Sequence, residues 1–183
     1  KIQPLPKATD YFDLLSFQQG KTHFHSSTAQ ASLEASYKNL QKLLHPDLFS
    51  NKSLVEQEHS AANSAFVNAA YQCLRSDIDR ANYILTTYYG IDVLSESGGS
   101  HHDASINMQI FEIREEIDEL DYSNEQTVQA MLDGLRASRE DIEVALDGAI
   151  RDQNVESMTR EAVKLRYWGK MIEEVGDRQQ EKD

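Results

Sequence analysis

Proline is nearly absent from this chain, and its positions limit what the chain can fold into. The sequence of 183 residues includes eight glycines and three prolines, and the prolines are Pro4, Pro6 and Pro46. Proline breaks helices and glycine weakens them, so a chain with few of either can form long helices. We therefore predict an all-α protein that begins with a short tail, residues 1–9, and in which Pro46 ends a helix.

Two helices flank Pro46 in this prediction. The first carries apolar residues at helical spacing, namely Leu33, Tyr37, Leu40 and Leu44. The second, over residues 54–74, repeats this spacing with Ala62, Phe66, Ala69 and Cys73. The residue before a proline avoids helical angles, so the first helix should end at Leu44. Because the connection is short, we predict an antiparallel helical hairpin, flanked by a short helix that Asp10 caps and another over residues 77–88.

The second half of the sequence predicts a separate three-helix bundle. Its first helix, over residues 104–120, has an apolar stripe of Ile106, Ile110, Ile113, Ile117 and Leu120. Ser123 and Gln126 have the spacing of a capping box at the start of the second helix. The third helix covers residues 154–175 and carries Met158, Ala162, Leu165 and Ile172. A Gly/Ser-rich linker, residues 95–103, separates this bundle (residues 104–178, then a tail, 179–183) from the first domain, residues 10–94.

The two halves differ in charge. Residues 1–94 contain 8 Lys or Arg and 9 Asp or Glu, a net charge of −1, whereas residues 95–183 contain 10 and 22, a net charge of −12. Such an acidic half would repel phosphates, so we expect no nucleic-acid partner. It would attract a basic protein partner. No apolar run approaches the length of a transmembrane helix, so we expect no interaction with a membrane.

His45, Pro46 and Asp47 stand where the hairpin turns, and three kinds of site could use them. A His/Asp pair can perform general acid–base catalysis, but no nucleophile or phosphate-binding glycine loop is near it in the sequence. As metal ligands the two side chains are fewer than the three or four that a stable site needs, and the single Cys73 excludes a four-cysteine zinc site. A simple turn explains Pro46 but not its whole setting.

That setting resembles the J-domain co-chaperones, in which an HPD motif lies between two antiparallel helices. The similar segments are Asp10-Tyr11-Phe12, Tyr37-Lys38-Asn39-Leu40 before the motif and Asn68-Ala69-Ala70-Tyr71 after it. Residues 106–121, INMQIFEIREEIDELD, and residues 164–170, KLRYWGK, resemble the C-terminal domain of the HscB family, called Jac in yeasts. The resemblance extends from residue 10 to about residue 175.

The HscB resemblance implies an adaptor that performs no catalysis of its own. Members of the family bind the iron–sulfur scaffold protein IscU/Isu through the C-terminal domain. They present it to a dedicated heat-shock-protein-70-class chaperone, whose ATP hydrolysis the J-domain stimulates, and so promote iron–sulfur cluster transfer. The resemblance also implies an L-shaped pair of domains, no cofactor and no bound metal. It implies a place in the mitochondrial matrix, or in the bacterial cytoplasm if the source is prokaryotic.

The same resemblance implies which residues meet the chaperone. His45 and Asp47 form the trigger, because an aspartate on a rigid loop can pair with an arginine of the chaperone, and Pro46 fixes the loop backbone. Four further contacts are implied, namely Lys38, Lys42, Asn39 and Arg80. Leu44 and Leu48 depart from the pattern, since many J-domains have an aromatic residue before the motif and a lysine after it.

A second candidate site lies on the first bundle helix. At about 100° per residue, Met108 and Phe111 fall roughly opposite the isoleucine stripe, and a large apolar pair away from the core often marks a binding surface. Packing against another helix is the alternative. The HscB resemblance implies a scaffold-binding patch of Asn107, Met108, Phe111, Glu112, Glu115 and Tyr167. Asn107 departs from the family, which usually has an apolar residue there.

Two other functions stay open from the sequence. The chain could be a J-domain adaptor for a different client protein, in which case Met108 and Phe111 would not bind the iron–sulfur scaffold. It could also be a hydrolase that uses His45 and Asp47. A hydrolase would turn over some substrate alone and lose that activity on His45→Gln.

Overall fold

The computed structural model describes residues 2–6, 9–21, 27–95 and 104–181, and within these ranges it contains helices and no strand. In chain order the helices are α1 (Tyr11–Leu14), α2 (Ser27–Leu44), α3 (Leu54–Arg75), α4 (Asp77–Tyr89), α5 (Ala104–Asp118), α6 (Glu125–Arg151) and α7 (Val155–Gln180). Two 3₁₀ turns cover Gln18–Lys21 and Pro46–Phe49. The prediction of an all-α fold is confirmed. The predicted linker, apart from Ser95, lies outside the described residues.

Helices α2 and α3 form the predicted hairpin. α2 ends at Leu44, and α3 begins after Ser53, which makes a reciprocal capping box with Glu56. The Tyr37 ring of α2 stacks on the Tyr71 ring of α3, with ring centroids 4.1 Å apart. The helix limits predicted on either side of the motif are therefore confirmed.

The buried face of α3 is not the predicted one. The predicted stripe is exposed at Ala62 and Ala69 and half-buried at Phe66 and Cys73. The buried residues are instead Ser60, Asn63, Ser64, Val67, Ala70 and Leu74. The Ser60 hydroxyl donates to the Leu44 carbonyl at 2.6 Å, and the Ser64 hydroxyl donates to the Gln41 side chain at 2.9 Å. Buried polar groups are tolerated once they are hydrogen-bonded, so a prediction based on apolar spacing alone was wrong for this face.

Asn63 holds the N-terminal segment against α3. Its side-chain amide donates to the Gln3 carbonyl at 2.8 Å, and its Oδ1 accepts from the Leu5 N–H at 2.9 Å. Asp10 caps α1 as predicted, since its carboxylate accepts from the Phe12 N–H at 2.7 Å. The apolar side chains that α1 and the following turn bury are Phe12, Leu15 and Phe17.

The first turn of helix α4 contains a buried arginine, Arg80, which corrects one sequence prediction. Arg80 is fully buried; its Nη1 donates to the Leu74 carbonyl at 2.9 Å and its Nη2 to the Asp77 carboxylate at 2.8 Å. The guanidinium also lies over the Phe17 ring, 5.8 Å from its centroid. The prediction that Arg80 contacts the chaperone is therefore wrong for this conformation, because the side chain is used to join the end of α3 to α4.

The chain divides into two compact units, Lys1–Tyr83 and Ile84–Asp183. This division lies within α4, earlier than the predicted linker, and the predicted domain limits stay a prediction. In the second unit α7 contacts both α5 and α6, as expected of a three-helix bundle. Within the described residues, no helix is both long and apolar enough to cross a membrane.

The three bundle helices keep most of the predicted faces but differ at their ends. On α5, Ile106, Ile110 and Ile117 are buried, as predicted. The predicted capping box of Ser123 and Gln126 is wrong: Asn124 is the N-cap of α6, and the Ser123 hydroxyl donates to the Asp121 carboxylate at 2.6 Å. α7 continues to Gln180, beyond the predicted end, and buries Met158, Ala162, Leu165, Trp168, Met171 and Val175 among others.

Replacing Arg80 with Ala should lower the free energy of unfolding of the first unit by about 3 kcal/mol. The change removes the donors from which the Leu74 carbonyl and the Asp77 carboxylate accept. Arg75→Ala is the matched control, because Arg75 is exposed at the end of α3 and its loss should change the free energy by less than about 0.5 kcal/mol. Urea unfolding followed by circular dichroism measures both variants, and equal midpoints would contradict the structural role of Arg80.

Candidate functional site

The turn that follows α2, residues 45–49, is a compact structure with its own cap, and we call it the HPD turn. His45 is the N-cap of the 3₁₀ turn Pro46–Phe49, and its Nδ1 accepts from the Asp47 N–H at 3.3 Å. Pro46 occupies the first position, where a missing N–H does no harm. The Leu48 N–H donates to the His45 carbonyl at 3.0 Å. The sequence therefore fixes the backbone that presents the two polar side chains.

His45 and Asp47 are presented to solvent rather than enclosed. Their side chains are 52% and 90% exposed, and His45 Nδ1 lies 3.5 Å from Asp47 Oδ2. General acid–base catalysis works best in a site that holds its substrate and excludes water, and this turn offers no such enclosure. Cys73 is half-buried on α3, and burial raises the pKa of its thiol to about 11, so it is protonated at neutral pH and a poor nucleophile. The geometry suits recognition by a partner.

A groove beside the HPD turn extends this surface along the hairpin. It is open, has a volume of about 690 Å³, and is lined by Tyr37, Lys38, Gln41, Lys42, His45, Asp47, Leu48, Ser64 and Asn68. We call it the HPD groove. It contains a hydrogen-bonded cluster, in which Asn68 Oδ1 accepts from the Tyr37 hydroxyl at 3.0 Å and from the Gln41 amide at 2.6 Å. Four of the predicted chaperone contacts, Lys38, Lys42, His45 and Asp47, are therefore brought together.

The two lysines of the HPD groove differ in their electrostatic state. The Lys38 Nζ lies 2.6 Å from the Glu34 carboxylate, one helical turn earlier. This hydrogen bond raises the pKa of the Lys38 ammonium and lowers the pKa of the Glu34 carboxyl. Lys42 is exposed and has no ion-pair partner among the residues that the structure describes. Lys42 is thus the more available cation, while Asn39 is exposed outside the groove.

Sequence reasoning missed several residues that build the HPD groove. Gln41 and Ser64 were not singled out. Tyr37 and Asn68 were named only as parts of segments that resemble J-domains, and Tyr37 also as part of the apolar face, but neither was predicted as a contact. The signal was available, since polar residues recur at helical spacing on the two facing sides of the hairpin. Metal binding has no support in the described ranges, where no group of three His, Cys, Asp or Glu side chains could hold an ion.

The second candidate site is the outer face of α5, opposite its buried isoleucines. Met108 and Phe111 are each 58% exposed, although apolar side chains of this size are usually buried. Asn107, Glu112 and Glu115 are exposed on the same helix. We call these five residues the α5 outer face. Tyr167, the sixth predicted member, is half-buried on α7. Val144 of α6 is also 63% exposed, and sequence reasoning did not single it out.

The sequence of this chain is similar to sequences of known proteins. Residues 103–176 match the family described as the HSCB C-terminal oligomerisation domain. The iron-sulfur cluster co-chaperone protein HscB homolog of Arabidopsis thaliana is 37% identical over 122 residues, which are 67% of this chain and 45% of that protein. The iron-sulfur cluster co-chaperone protein HscB of Mus musculus is 28% identical over 174 residues, which are 95% of this chain and 70% of that protein. The match thus spans less than half of the plant relative's length.

The fold is also similar to a solved structure. The crystal structure of human co-chaperone protein HscB superposes with a TM-score of 0.84 at 26% identity, covering 97% of this chain and 85% of that chain. This coverage takes in both compact units. The sequence matches and the shared fold agree with the resemblance seen around the HPD motif, and the chain belongs to the HscB family of iron–sulfur cluster co-chaperones.

Proposed function

We propose that this protein stimulates ATP hydrolysis by a heat-shock-protein-70-class chaperone through the HPD turn, while the α5 outer face binds an iron–sulfur scaffold protein of the IscU/Isu type. The observation that carries the proposal is the presentation of Asp47, 90% exposed on a capped turn beside Lys42. The protein itself performs no covalent chemistry in this proposal. The mitochondrial matrix, or the cytoplasm of a prokaryotic source, stays its predicted location.

Charge and rigidity support the chaperone contact. An exposed carboxylate on an ordered turn can make a short, charge-assisted pair with an arginine of the partner, and little freedom remains to be lost on binding. Lys42 and Lys38 add positive charge along the adjoining groove, which favours an acidic partner surface. Leu48 lines the same groove as an apolar side chain, so contact there is not purely electrostatic.

Exposed apolar side chains with an acidic rim support the scaffold contact. Methionine and aromatic residues are enriched in protein interfaces, and Met108 and Phe111 are of these two types. Glu112 and Glu115 beside them would orient a partner that carries basic residues. The net charge of −12 over residues 95–183 would attract such a partner over a longer range.

Asp47→Asn should reduce stimulation of the chaperone ATPase by roughly tenfold or more, because the amide cannot replace the charged half of the proposed ion pair. Scaffold binding should be unchanged, since the substitution lies in the other compact unit. Steady-state ATP turnover by the chaperone, with scaffold present, measures the effect. Glu58→Gln is the control, because Glu58 is an exposed acid of α3 outside the groove.

The same assay separates the hydrolase alternative. In the adaptor proposal His45→Gln abolishes stimulation and the isolated protein turns over no substrate. Turnover by the isolated protein that disappears with His45→Gln would instead support a hydrolase.

Changing Met108 and Phe111 to Ser should weaken scaffold binding by roughly tenfold or more, because buried apolar anchors carry most of the energy of an interface. Isothermal titration calorimetry with the scaffold protein measures the change. Val144→Ser is a matched control, since Val144 is an equally exposed apolar residue of the same bundle. Unchanged scaffold affinity in the double variant would favour an adaptor for a different client.

A further inference from the structure

Helix α3 holds the HPD turn at both of its ends. Before the turn, the Ser60 hydroxyl donates to the Leu44 carbonyl at 2.6 Å. After it, the Gln57 side-chain amide donates to the Ser50 carbonyl at 3.1 Å and to the Lys52 carbonyl at 3.0 Å. Ser60 and Gln57 are three residues apart and so lie on one face of the helix. These two residues therefore form a clasp around the turn.

The clasp supplies a hydrogen bond that the end of α2 lacks. The last four carbonyls of a helix have no donor within it. At the end of α2 the His45 N–H still donates to the Gln41 carbonyl at 2.9 Å, whereas Pro46 has no N–H for the Lys42 carbonyl. The Leu48 N–H, which would reach the Leu44 carbonyl in a continued helix, donates to the His45 carbonyl instead. The Ser60 hydroxyl takes its place, and Ser60 is fully buried. A buried hydroxyl is stabilised only where such a bond is made.

His45 and Asp47, the two side chains proposed to trigger ATP hydrolysis, lie between the two ends of the clasp. His45 and Asp47 are exposed, while the residues that hold the backbone on either side of them come from α3. The bonds of the turn itself join His45 Nδ1 to the Asp47 N–H, the Leu48 N–H to the His45 carbonyl and the Ser50 hydroxyl to the Asp47 carbonyl, and they fix its internal shape. The bonds from α3 are the ones that hold it against the hairpin. The position of the turn relative to the HPD groove therefore depends on α3.

We propose that Ser60 and Gln57 are positioning residues of the HPD turn, and this inference rests on the proposed function. The lysines of α2 capture the chaperone through charge, and their positions do not depend on the clasp. Stimulation further requires His45 and Asp47 in one arrangement. Loosening the turn lowers the fraction of bound complexes with that arrangement. The clasp thus controls the maximal stimulation and leaves the half-saturating concentration nearly unchanged.

Ser60→Ala tests the first half of the clasp. The maximal stimulation of chaperone ATP turnover should fall by roughly threefold to tenfold, the effect expected from one lost hydrogen bond. The half-saturating concentration should change by less than about twofold, since Lys38 and Lys42 are retained. Amide hydrogen exchange, measured without the chaperone, should become faster at Leu48.

Asn63→Ala is the matched control for lost stability. Asn63 is as deeply placed on α3, but its hydrogen bonds hold the N-terminal segment instead of the HPD turn. It should lower the melting temperature without lowering the maximal stimulation. An equal loss of stimulation in Asn63→Ala would overturn the inference, because general destabilisation would then explain Ser60→Ala.

Gln57→Ala tests the other end with less effect on folding, since Gln57 is only half-buried, and Gln72→Ala is its exposed control on α3. Gln57→Ala should lower the maximal stimulation, and Gln72→Ala should not. Full stimulation by both clasp variants would overturn the positioning role while the proposed function stands. No stimulation by the unaltered chain would overturn the proposed function and this inference with it.

Discussion

The hydrogen bond from the Ser60 hydroxyl of α3 to the Leu44 carbonyl joins the two helices of the hairpin at the point where α2 ends, and the HPD turn depends on it. Pro46 ends α2, and α3 supplies a donor to the Leu44 carbonyl through Ser60 and holds the loop after the HPD turn through Gln57. The interface is therefore partly polar where an ordinary helical hairpin would be apolar. A polar interface of this kind is directional, since each hydrogen bond admits one register of the two helices. The end of α2 therefore influences which residues the facing side of α3 carries.

The sequence was sufficient to predict which helices form, but it was insufficient to predict which face of some helices is buried. The helix limits on either side of the HPD turn followed from Pro46 and from apolar spacing, which are local properties of the chain, whereas the ends of the bundle helices were less accurate. The buried face of α3 could not be predicted in this way, because Ser60 and Asn63 become acceptable in a core only when a partner elsewhere in the chain bonds to them. The prediction for Arg80 was wrong for the same reason, because the carbonyl that accepts from its side chain belongs to the preceding helix.

The candidate sites show the same contrast. Helical geometry placed Met108 and Phe111 opposite the buried stripe, but only the structure shows that no other helix within the described ranges covers them, since each is 58% exposed. The pairing of Lys38 with Glu34 was also within reach of the sequence, as the two are four residues apart, but it was not considered. The two units then offer surfaces of opposite character, a groove with lysines on the hairpin and an acidic helix face on the bundle. Two partners of unlike charge can be addressed by one short chain without competing for the same surface.

The attachment of the N-terminal segment has a consequence for sequence variation. Asn63 bonds to the carbonyl of Gln3 and to the N–H of Leu5, which are backbone groups that nearly every amino acid provides. The side chains at positions 3 and 5 can therefore vary with little effect on these two hydrogen bonds. A proline at position 5 is the exception, since it would remove the backbone N–H and leave the buried Oδ1 of Asn63 without this hydrogen bond. The attachment therefore constrains the path of the chain in this segment more than the identity of its side chains.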